Sequence, residues 1–390
     1  MIRLVNVTKI YESVDQAIKK RAVDDVTFDI PDRQICILVG PSGCGKTTTL
    51  KMINRLIPLT LGKIYVNEEE ITQLEPIELR RSIGYVIQEI GLFPHMTVGE
   101  NIALVPSLRN WSQEKKRKRV DELLELVGMD PHATRNKYPR ELSGGQRQRI
   151  GVARALGADP PIMLMDEPFG AIDPITRERL QDEFLKIQNR LKKTVVFVTH
   201  DINEAIKMGN SIALMKDGKL VQHDTVDGLL ANPKNRFVED FVGTDRALKR
   251  LMLVRVEQAM QKDPPRVSPE DSVSKVRERM AREKIDNLLV TDKSGLLKGY
   301  IRLKALQGKT GRIEQVVRPV SATVEEGTNL RDALVQMLIS DLGYLSVVDD
   351  RGKLKGLLTT STLRKLVGET YTAKGGPPPG YESEPPALKG

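Results

Sequence analysis

Along the first part of the chain, short continuous apolar runs alternate with amphipathic stretches. Ile35-Cys36-Ile37-Leu38-Val39, Ile162-Met163-Leu164-Met165 and Val195-Val196-Phe197-Val198 are apolar at every position and bounded by polar or turn residues. Such runs are too short for a buried helix and predict strands covered on both faces, as in a parallel sheet. Val120, Leu123, Leu124 and Val127 recur at i, i+3, i+4 and i+7 and are closed by Gly128, which predicts a helix with one apolar face. From about Val98 to Asp159 strand-like runs are sparse, so a mostly helical insert is expected within an α/β domain.

A different pattern follows. Val256-Glu257-Gln258 recurs as Ile313-Glu314-Gln315, and Leu297-Lys298-Gly299 as Leu354-Lys355-Gly356. Met280 matches Met337, Asp292 matches Asp349 and Gly295 matches Gly352, all at one constant offset without a gap. Each copy reads as a strand, an amphipathic helix and two strands around an Asp/Gly turn. The paired strands are Leu288-Leu289-Val290 with Tyr300-Ile301, and Leu345 to Val348 with Leu357-Leu358. One copy is too small to bury a core well, so the two are expected to pack as a pseudo-symmetric pair. A helix over about Arg236 to Leu253 is expected to link the two parts. The segment from Thr372 to Gly390 is rich in Pro, Gly and polar residues and reads as disordered.

The length of 390 residues predicts two or three domains, and 39% apolar residues exclude a wholly disordered chain. Lys and Arg outnumber Asp and Glu by 61 to 52, a net charge of +9 that suits a protein meeting anions without choosing among them. Cys36 and Cys44 are the only cysteines; they cannot form a disulfide framework, which suggests a reducing compartment. No apolar stretch approaches the ~18 residues needed to span a bilayer, and the start Met1-Ile2-Arg3-Leu4 lacks a signal-peptide pattern. A soluble, cytoplasmic protein is expected, with any membrane role through a partner.

Gly40-Pro41-Ser42-Gly43-Cys44-Gly45-Lys46-Thr47 fits G-x-x-x-x-G-K-[ST] between an expected strand and an amphipathic run through Leu50, Met52, Ile53 and Leu56. The glycines let the backbone curl around phosphates, and the exposed N–H groups with the following helix start attract anionic oxygens. Lys46 should reach the β- and γ-phosphates and Thr47 should bind Mg²⁺. The strand Ile162 to Met165 ends in Asp166 and Glu167. There Asp166 would hold the Mg²⁺ shell and Glu167 would polarise the attacking water. Alone, two acids at a strand end are usually a solvated terminus; beside a P-loop they read as catalytic. Cys44 inside the loop is expected to be a small buried side chain rather than a reactive one.

Leu142-Ser143-Gly144-Gly145-Gln146 precedes a helical run from Arg147 to Leu156. Ser143 is a natural N-cap, and the glycines leave N–H groups free for a second anion. One nucleotide needs one cradle, and the chain carries two, which suggests two chains facing head to tail. Taken in order, these motifs resemble those of ABC-transporter ATPase subunits, over roughly residues 1–240. The resemblance implies a P-loop NTPase fold, a RecA-like core plus a helical subdomain at about 98–159. It makes Gly40 through Thr48 the Walker A motif, Ser143, Gly144, Gly145 and Gln146 the signature lip, and Asp173 the aspartate that follows Walker B. It further implies that Tyr11 stacks on adenine, that Gln88 contacts Mg²⁺ and water, and that His200 contacts the γ-phosphate. Two chains then sandwich two ATP molecules, each held by Lys46 and Thr47 of one and by Ser143 and Gly145 of the other. Gln88 to Pro94 would dock the coupling helix of a membrane partner.

The segments Gln88-Glu89-Ile90-Gly91-Leu92-Phe93-Pro94-His95-Met96-Thr97-Val98 and Phe237-Val238-Glu239-Asp240-Phe241-Val242-Gly243-Thr244-Asp245-Arg246 are similar to a narrower group. This is the ATP-binding subunit of glycine betaine/carnitine/choline importers, which carries an α+β pair of CBS repeats after the ATPase. Domains are then expected at 1–240 (ATPase), 241–253 (linker helix), 254–310 and 311–370 (CBS repeats), and 371–390 (disordered tail). The resemblance implies a homodimer at the cytoplasmic membrane face, transmembrane permease subunits and an extracellular substrate-binding protein or domain. CBS repeats that anchor ribose carry G-h-h-[ST]-x-x-D; here Gly299-Tyr300-Ile301-Arg302-Leu303-Lys304-Ala305 and Gly356-Leu357-Leu358-Thr359-Thr360-Ser361-Thr362 keep only Thr359. Three readings of the repeat stand: dimerisation alone, binding of a cyclic dinucleotide, or sensing of ionic strength by a basic face against anionic lipid. That face would use Lys298, Arg302, Lys304, Lys309 and Arg312. A rival function is a soluble ABC-type ATPase acting on nucleic acid or ribosomes. Such proteins usually hold two ATPase modules or a long coiled coil, and this chain has one P-loop and no long heptad tract. The run Lys115-Lys116-Arg117-Lys118-Arg119 is read as a solvated helix face in preference to a nucleic-acid surface, and no nucleic-acid partner is expected.

Overall fold

The computed structural model describes residues 1–12, 19–87, 91–170 and 172–372. Gln88, with Glu89 and Ile90, and the tail beyond 372 lie outside the described residues. The chain forms two compact units, Met1–Leu229 with Pro233–Val242, and Leu230–Asn232 with Gly243–Gly390.

The first unit is built on a six-stranded sheet in the order Lys219–Thr225, Ser211–Lys216, Ile35–Val39, Thr194–Val198, Ile162–Asp166, Ile83–Val86. All neighbours are parallel except the terminal hairpin. The three apolar runs occupy its centre, and every residue of those strands is buried. A second, antiparallel sheet joins Lys19–Ile30, Ile2–Glu12, Leu61–Val66 and Glu69–Glu70. Ile2, Leu4, Val26 and Ile30 from this layer share one core with Leu38, Leu164 and Val196 of the main sheet. Between the strands Ile83–Val86 and Ile162–Asp166 the chain is helical, from Val98–Ile102 through Gln113–Leu126 to Gly144–Ala155. Ser112 caps Gln113–Leu126, and the helix buries Val120, Leu123 and Leu124 along the expected stripe.

The basic run sits on that same helix, and much of it is engaged locally. Lys115 lies 3.8 Å from the centre of the Trp111 ring, and Arg119 donates to the Leu156 and Gly157 carbonyls at 3.0 and 3.2 Å. Arg119 thereby closes the C-terminus of Gly144–Ala155 with a cation where the helix dipole favours one.

The expected single linker helix is two helices, Arg236–Val242 and Arg246–Leu251. Gly243 separates them at φ +90°, where a Cβ would come within 2.8 Å of Asp245 Oδ1. In the second unit the repeat appears as the helices Val273–Glu283 and Leu330–Ile339 and the hairpins Asn287–Thr291/Leu297–Arg302 and Tyr344–Val348/Leu354–Thr359. The copies exchange their first segments. Val256 is buried with Val324, Leu330 and Leu358 of the second copy, and its counterpart Ile313 with Val273, Leu288 and Ile301 of the first. The two hairpin turns are tied by a symmetric pair of bonds, Leu297 N–H to the Gly352 carbonyl at 3.1 Å and Leu354 N–H to the Gly295 carbonyl at 3.0 Å. Neither copy completes its core alone, which is why the sequence carries them as a pair.

Candidate functional site

The phosphate loop leaves the buried strand Ile35–Val39 and enters the helix Lys46–Ile53. Gly40 and Gly45 adopt φ +146° and +102°; a Cβ would stand 2.1 Å from the Met215 carbonyl oxygen at the first and 2.3 Å from that of Ala22 at the second. Only glycine permits this curl. Lys46 is 6% exposed and turns its ammonium onto the loop's own carbonyls, Gly40 at 2.7 Å and Pro41 at 3.0 Å. Ser42 and Gly43 are exposed at the loop's outer edge, and Thr48 is half-buried. Cys44 is buried; burial pushes its thiol above the usual range, and the nearby Lys46 only partly offsets this. It therefore fills space beneath the loop and is a poor nucleophile.

Thr47 donates its hydroxyl to Asp166 Oδ1 at 2.9 Å, across the gap between the loop and the strand Ile162–Asp166. Asp166 is 3% exposed, and burial raises its carboxyl above the ordinary value despite the Thr47 bond. The same environment, chiefly burial and then the Asp166 charge, pushes the Tyr85 phenol up to about 12. Glu167 follows at φ +43°, a strained setting for a side chain with a Cβ. Its N–H donates to the Val198 carbonyl at 3.0 Å, continuing the parallel ladder in which Asp166 pairs with Val198. Glu167 Oε1 lies 3.4 Å from Nδ1 of His200, whose ring is 61% exposed. The structure thus brings Lys46, Thr47, Asp166, Glu167 and His200 to the C-terminal edge of one parallel sheet, where such sheets bind ligands.

Ser143 caps the helix Gly144–Ala155 in a reciprocal box, accepting from Gln146 N–H at 3.3 Å while its own N–H donates to Gln146 Oε1 at 2.9 Å. Asp173 caps the neighbouring helix Pro174–Leu191, accepting from Thr176 N–H at 3.0 Å, and that bond holds its carboxyl below the usual range. Ser143, Gly144, Gly145, Gln146, Asp173 and Thr176 line a cleft of about 450 Å³. None of residues 40–48 lines it. Asp173 thus shares this cleft with the expected second lip.

Tyr11 lies on the strand Ile2–Glu12, 42% exposed, with the Lys9 ammonium 5.1 Å from its ring centre. Of the segment expected to dock a membrane partner, Gly91 to Pro94 is described. Its organiser, Asn101, drew no attention in the sequence. Asn101 is fully buried, accepts from Phe93 N–H at 2.8 Å and donates to the carbonyls of Phe93, Met96 and Thr97 at 2.9–3.1 Å. Arg154 reaches the Gly91 carbonyl from the signature helix. Beside them runs a groove of about 740 Å³ along His95, Thr97, Glu100, Lys116 and Arg135. Replacing Asn101 by Ala orphans several buried backbone groups and should cost roughly 3 kcal/mol, read as a lowered midpoint in urea unfolding.

Residues 23–170 match the family model described as "ABC transporter", and 256–307 and 313–369 match "CBS domain". The chain is 47% identical over 371 residues to the glycine betaine/carnitine/choline transport ATP-binding protein OpuCA of Bacillus subtilis (strain 168), covering 94% of this chain and 96% of that protein. The chain belongs to the ABC transporter ATP-binding subunits. Its identity to the osmoprotectant import ATP-binding protein OsmV of Salmonella typhimurium is 44%, covering 96% of this chain and 98% of that one. Among solved structures, the dimeric post-hydrolysis state of the ATP-binding cassette MJ0796 bound to ADP and Pi matches 58% of this chain and 99% of that one, at 36% identity and a TM-score of 0.53. As an ABC ATPase the chain binds and hydrolyses ATP. Its fold is the P-loop cassette followed by a CBS pair. Among the described residues no helix is long and apolar enough to cross a membrane.

The donor set suits the metal such ATPases use. Thr47 and Asp166 offer hard oxygens at the loop's edge, and a cation there would offset the cost of burying the Asp166 carboxylate. Mg²⁺ takes few protein ligands and completes its shell with phosphates and water, which this pair leaves room for.

Proposed function

We propose that this ABC ATPase powers import of quaternary-amine osmolytes such as glycine betaine, carnitine or choline, as a homodimer on the cytoplasmic face of permease subunits served by a substrate-binding protein or domain. The observation that carries the dimer is that the cleft at the Ser143 lip is lined by no residue of the lysine-bearing loop, 40–48. Each chain then lends one half of each ATP site. Lys46 and the loop N–H groups hold the β- and γ-phosphates, and Thr47 and Asp166 would hold Mg²⁺, which when bound would neutralise phosphate charge. Ser143 and Gly145 of the second chain close over the γ-phosphate, with Asp173 beside them. Tyr11 offers a ring face to adenine. Glu167 accepts the proton of the attacking water, and His200 keeps contact with the γ-phosphate until cleavage removes it. ATP favours the closed dimer and its hydrolysis products the open one, which is a population shift the permease can use. By resemblance, Gln88 would contact Mg²⁺ and water.

The groove beside Gly91–Pro94 suits a helix or loop of the permease. The CBS pair suits a regulatory role. Of its basic face, Lys298 is paired with Asp292 at 3.3 Å and Arg302 lies over Tyr300, which leaves Lys304, Lys309 and Arg312 as the exposed cations toward an anionic partner. The substrate class rests on likeness to relatives that span this chain almost fully, a likeness that also disfavours a ribosome- or nucleic-acid-directed ATPase. Uptake of radiolabelled betaine, carnitine and choline, compared in cells with and without the gene, tests it. Loss of at least one uptake activity, restored by the gene and not by its Glu167→Gln form, is expected. Unchanged uptake of all three overturns the substrate class and leaves the ATPase reading intact.

A further inference from the structure

Among the described residues, Glu204 is the one acidic side chain besides Asp166 that is buried, at 7% exposure. No part of the ATP chemistry above uses it. Its Oε2 accepts from the Thr199 hydroxyl at 2.5 Å and its Oε1 from Gln181 Nε2 at 2.9 Å; Thr199 is 2% and Gln181 6% exposed. A carboxylate buried among neutral donors is costly unless each oxygen is met, so such a network is held or lost as a unit.

The three partners lie on elements with distinct tasks. Thr199 immediately precedes His200, and its hydroxyl also accepts from Asp201 N–H at 3.1 Å, so it fixes both sides of the turn that carries His200. Glu204 lies on Ile202–Met208, the helix leaving that turn. Gln181 lies on Pro174–Leu191, whose first residues line the cleft at the Ser143 lip. The latter helix touches the lip closely: a Cβ on Gly145 would stand 3.3 Å from the Thr176 methyl. An outer tie joins the same two helices, Lys207 Nζ to Asp182 Oδ1 at 2.7 Å.

We propose that Glu204 is a positioning residue that couples the two ATP sites of the dimer. It links the turn of His200, which faces the chain's own γ-phosphate, to the helix that bears Asp173 and supports the lip closing on the partner chain's ATP. The path is a chain of packed, hydrogen-bonded groups on rigid elements, the kind of connection that lets one site bias another. The inference rests on the head-to-tail reading above.

Steady-state hydrolysis by the full chain, read as kcat, KM and Hill coefficient against ATP, tests it, together with the ATP-dependent dimer of the Glu167→Gln form. With two coupled sites the Hill coefficient of the unaltered chain should approach about 2, the number of sites. Glu204→Ala should bring it to about 1 and lower kcat about tenfold, with KM changed less than about threefold. Glu204→Gln keeps an acceptor for Gln181 and a partner for Thr199, and should restore the coefficient to that of the unaltered chain. A Glu204→Ala chain that hydrolyses with an unmoved coefficient overturns the proposal. Should Glu204→Ala melt well below the unaltered chain, Gln181→Met carries the test, since it cuts the same link and keeps the helix; an unmoved coefficient there overturns the proposal equally. A coefficient of one in the unaltered chain, with no ATP-dependent dimer of Glu167→Gln, overturns the head-to-tail reading itself and this inference with it.

Discussion

Glu167→Gln should abolish turnover while leaving ATP bound. The loss expected is about 10³-fold in phosphate release, within the range that a positioned general base contributes. The reason is local. Gln matches Glu in shape, so the turn at φ +43° and the bond from the residue 167 N–H to the Val198 carbonyl are undisturbed. Asp166, Thr47 and Lys46 are untouched, and with them the groups assigned to the metal and the phosphates. What disappears is the carboxylate that lies 3.4 Å from His200 and can take a proton from water at the sheet edge. Binding without cleavage keeps the closed dimer populated. Size-exclusion chromatography with ATP should therefore show a dimer that the unaltered chain holds only until it hydrolyses. If the variant cleaves ATP at the unaltered rate, the base is another group, and His200, the next ionisable side chain at that edge, becomes the first to examine.

How much of this was legible in the sequence differs from element to element. The runs Ile35 to Val39, Ile162 to Met165 and Val195 to Val198 are apolar on both faces, a pattern that has few structural solutions apart from a central parallel strand. The phosphate loop was equally legible, because Gly40 and Gly45 occupy conformations that no other residue tolerates and so mark themselves. Other features depend on contacts far apart in the chain. Asn101 and Glu204 are single polar residues on ordinary helices, and nothing local distinguishes them from solvated ones. Only the fold reveals that one holds the Gly91–Thr97 loop and the other the His200 turn. The exchange of Val256 and Ile313 between the repeats was hidden for a related reason. A repeat fixes which residues are equivalent, but not which copy's core each one enters. The linker shows the opposite case. Gly243 was in plain view between helical segments, and a left-handed glycine there ends one helix before the next begins.

The second large effect is a rescue. Lys46→Ala removes the ammonium that should bridge the β- and γ-phosphates, and Ser143→Arg fills the exposed lip with a long side chain where a phosphate should sit. Each variant alone should hydrolyse ATP at least about 100-fold more slowly than the unaltered chain, since phosphate stabilisation carries most of the rate in such reactions. Mixed in equal amounts, they should regain activity. In a head-to-tail pair of one variant with the other, Lys46 of the Ser143→Arg chain meets Ser143 of the Lys46→Ala chain, so one site is whole and the other doubly broken. Random pairing makes about half of the dimers mixed, and a recovery to roughly a tenth of the unaltered rate is expected once coupling between sites is allowed for. Were both elements to serve one nucleotide within a single chain, every site in the mixture would carry a defect and mixing would recover nothing. Residues 40–48 do not line the cleft of Ser143. The rescue turns it into a rate: recovery requires that the lysine and the serine act on the same phosphate from opposite chains.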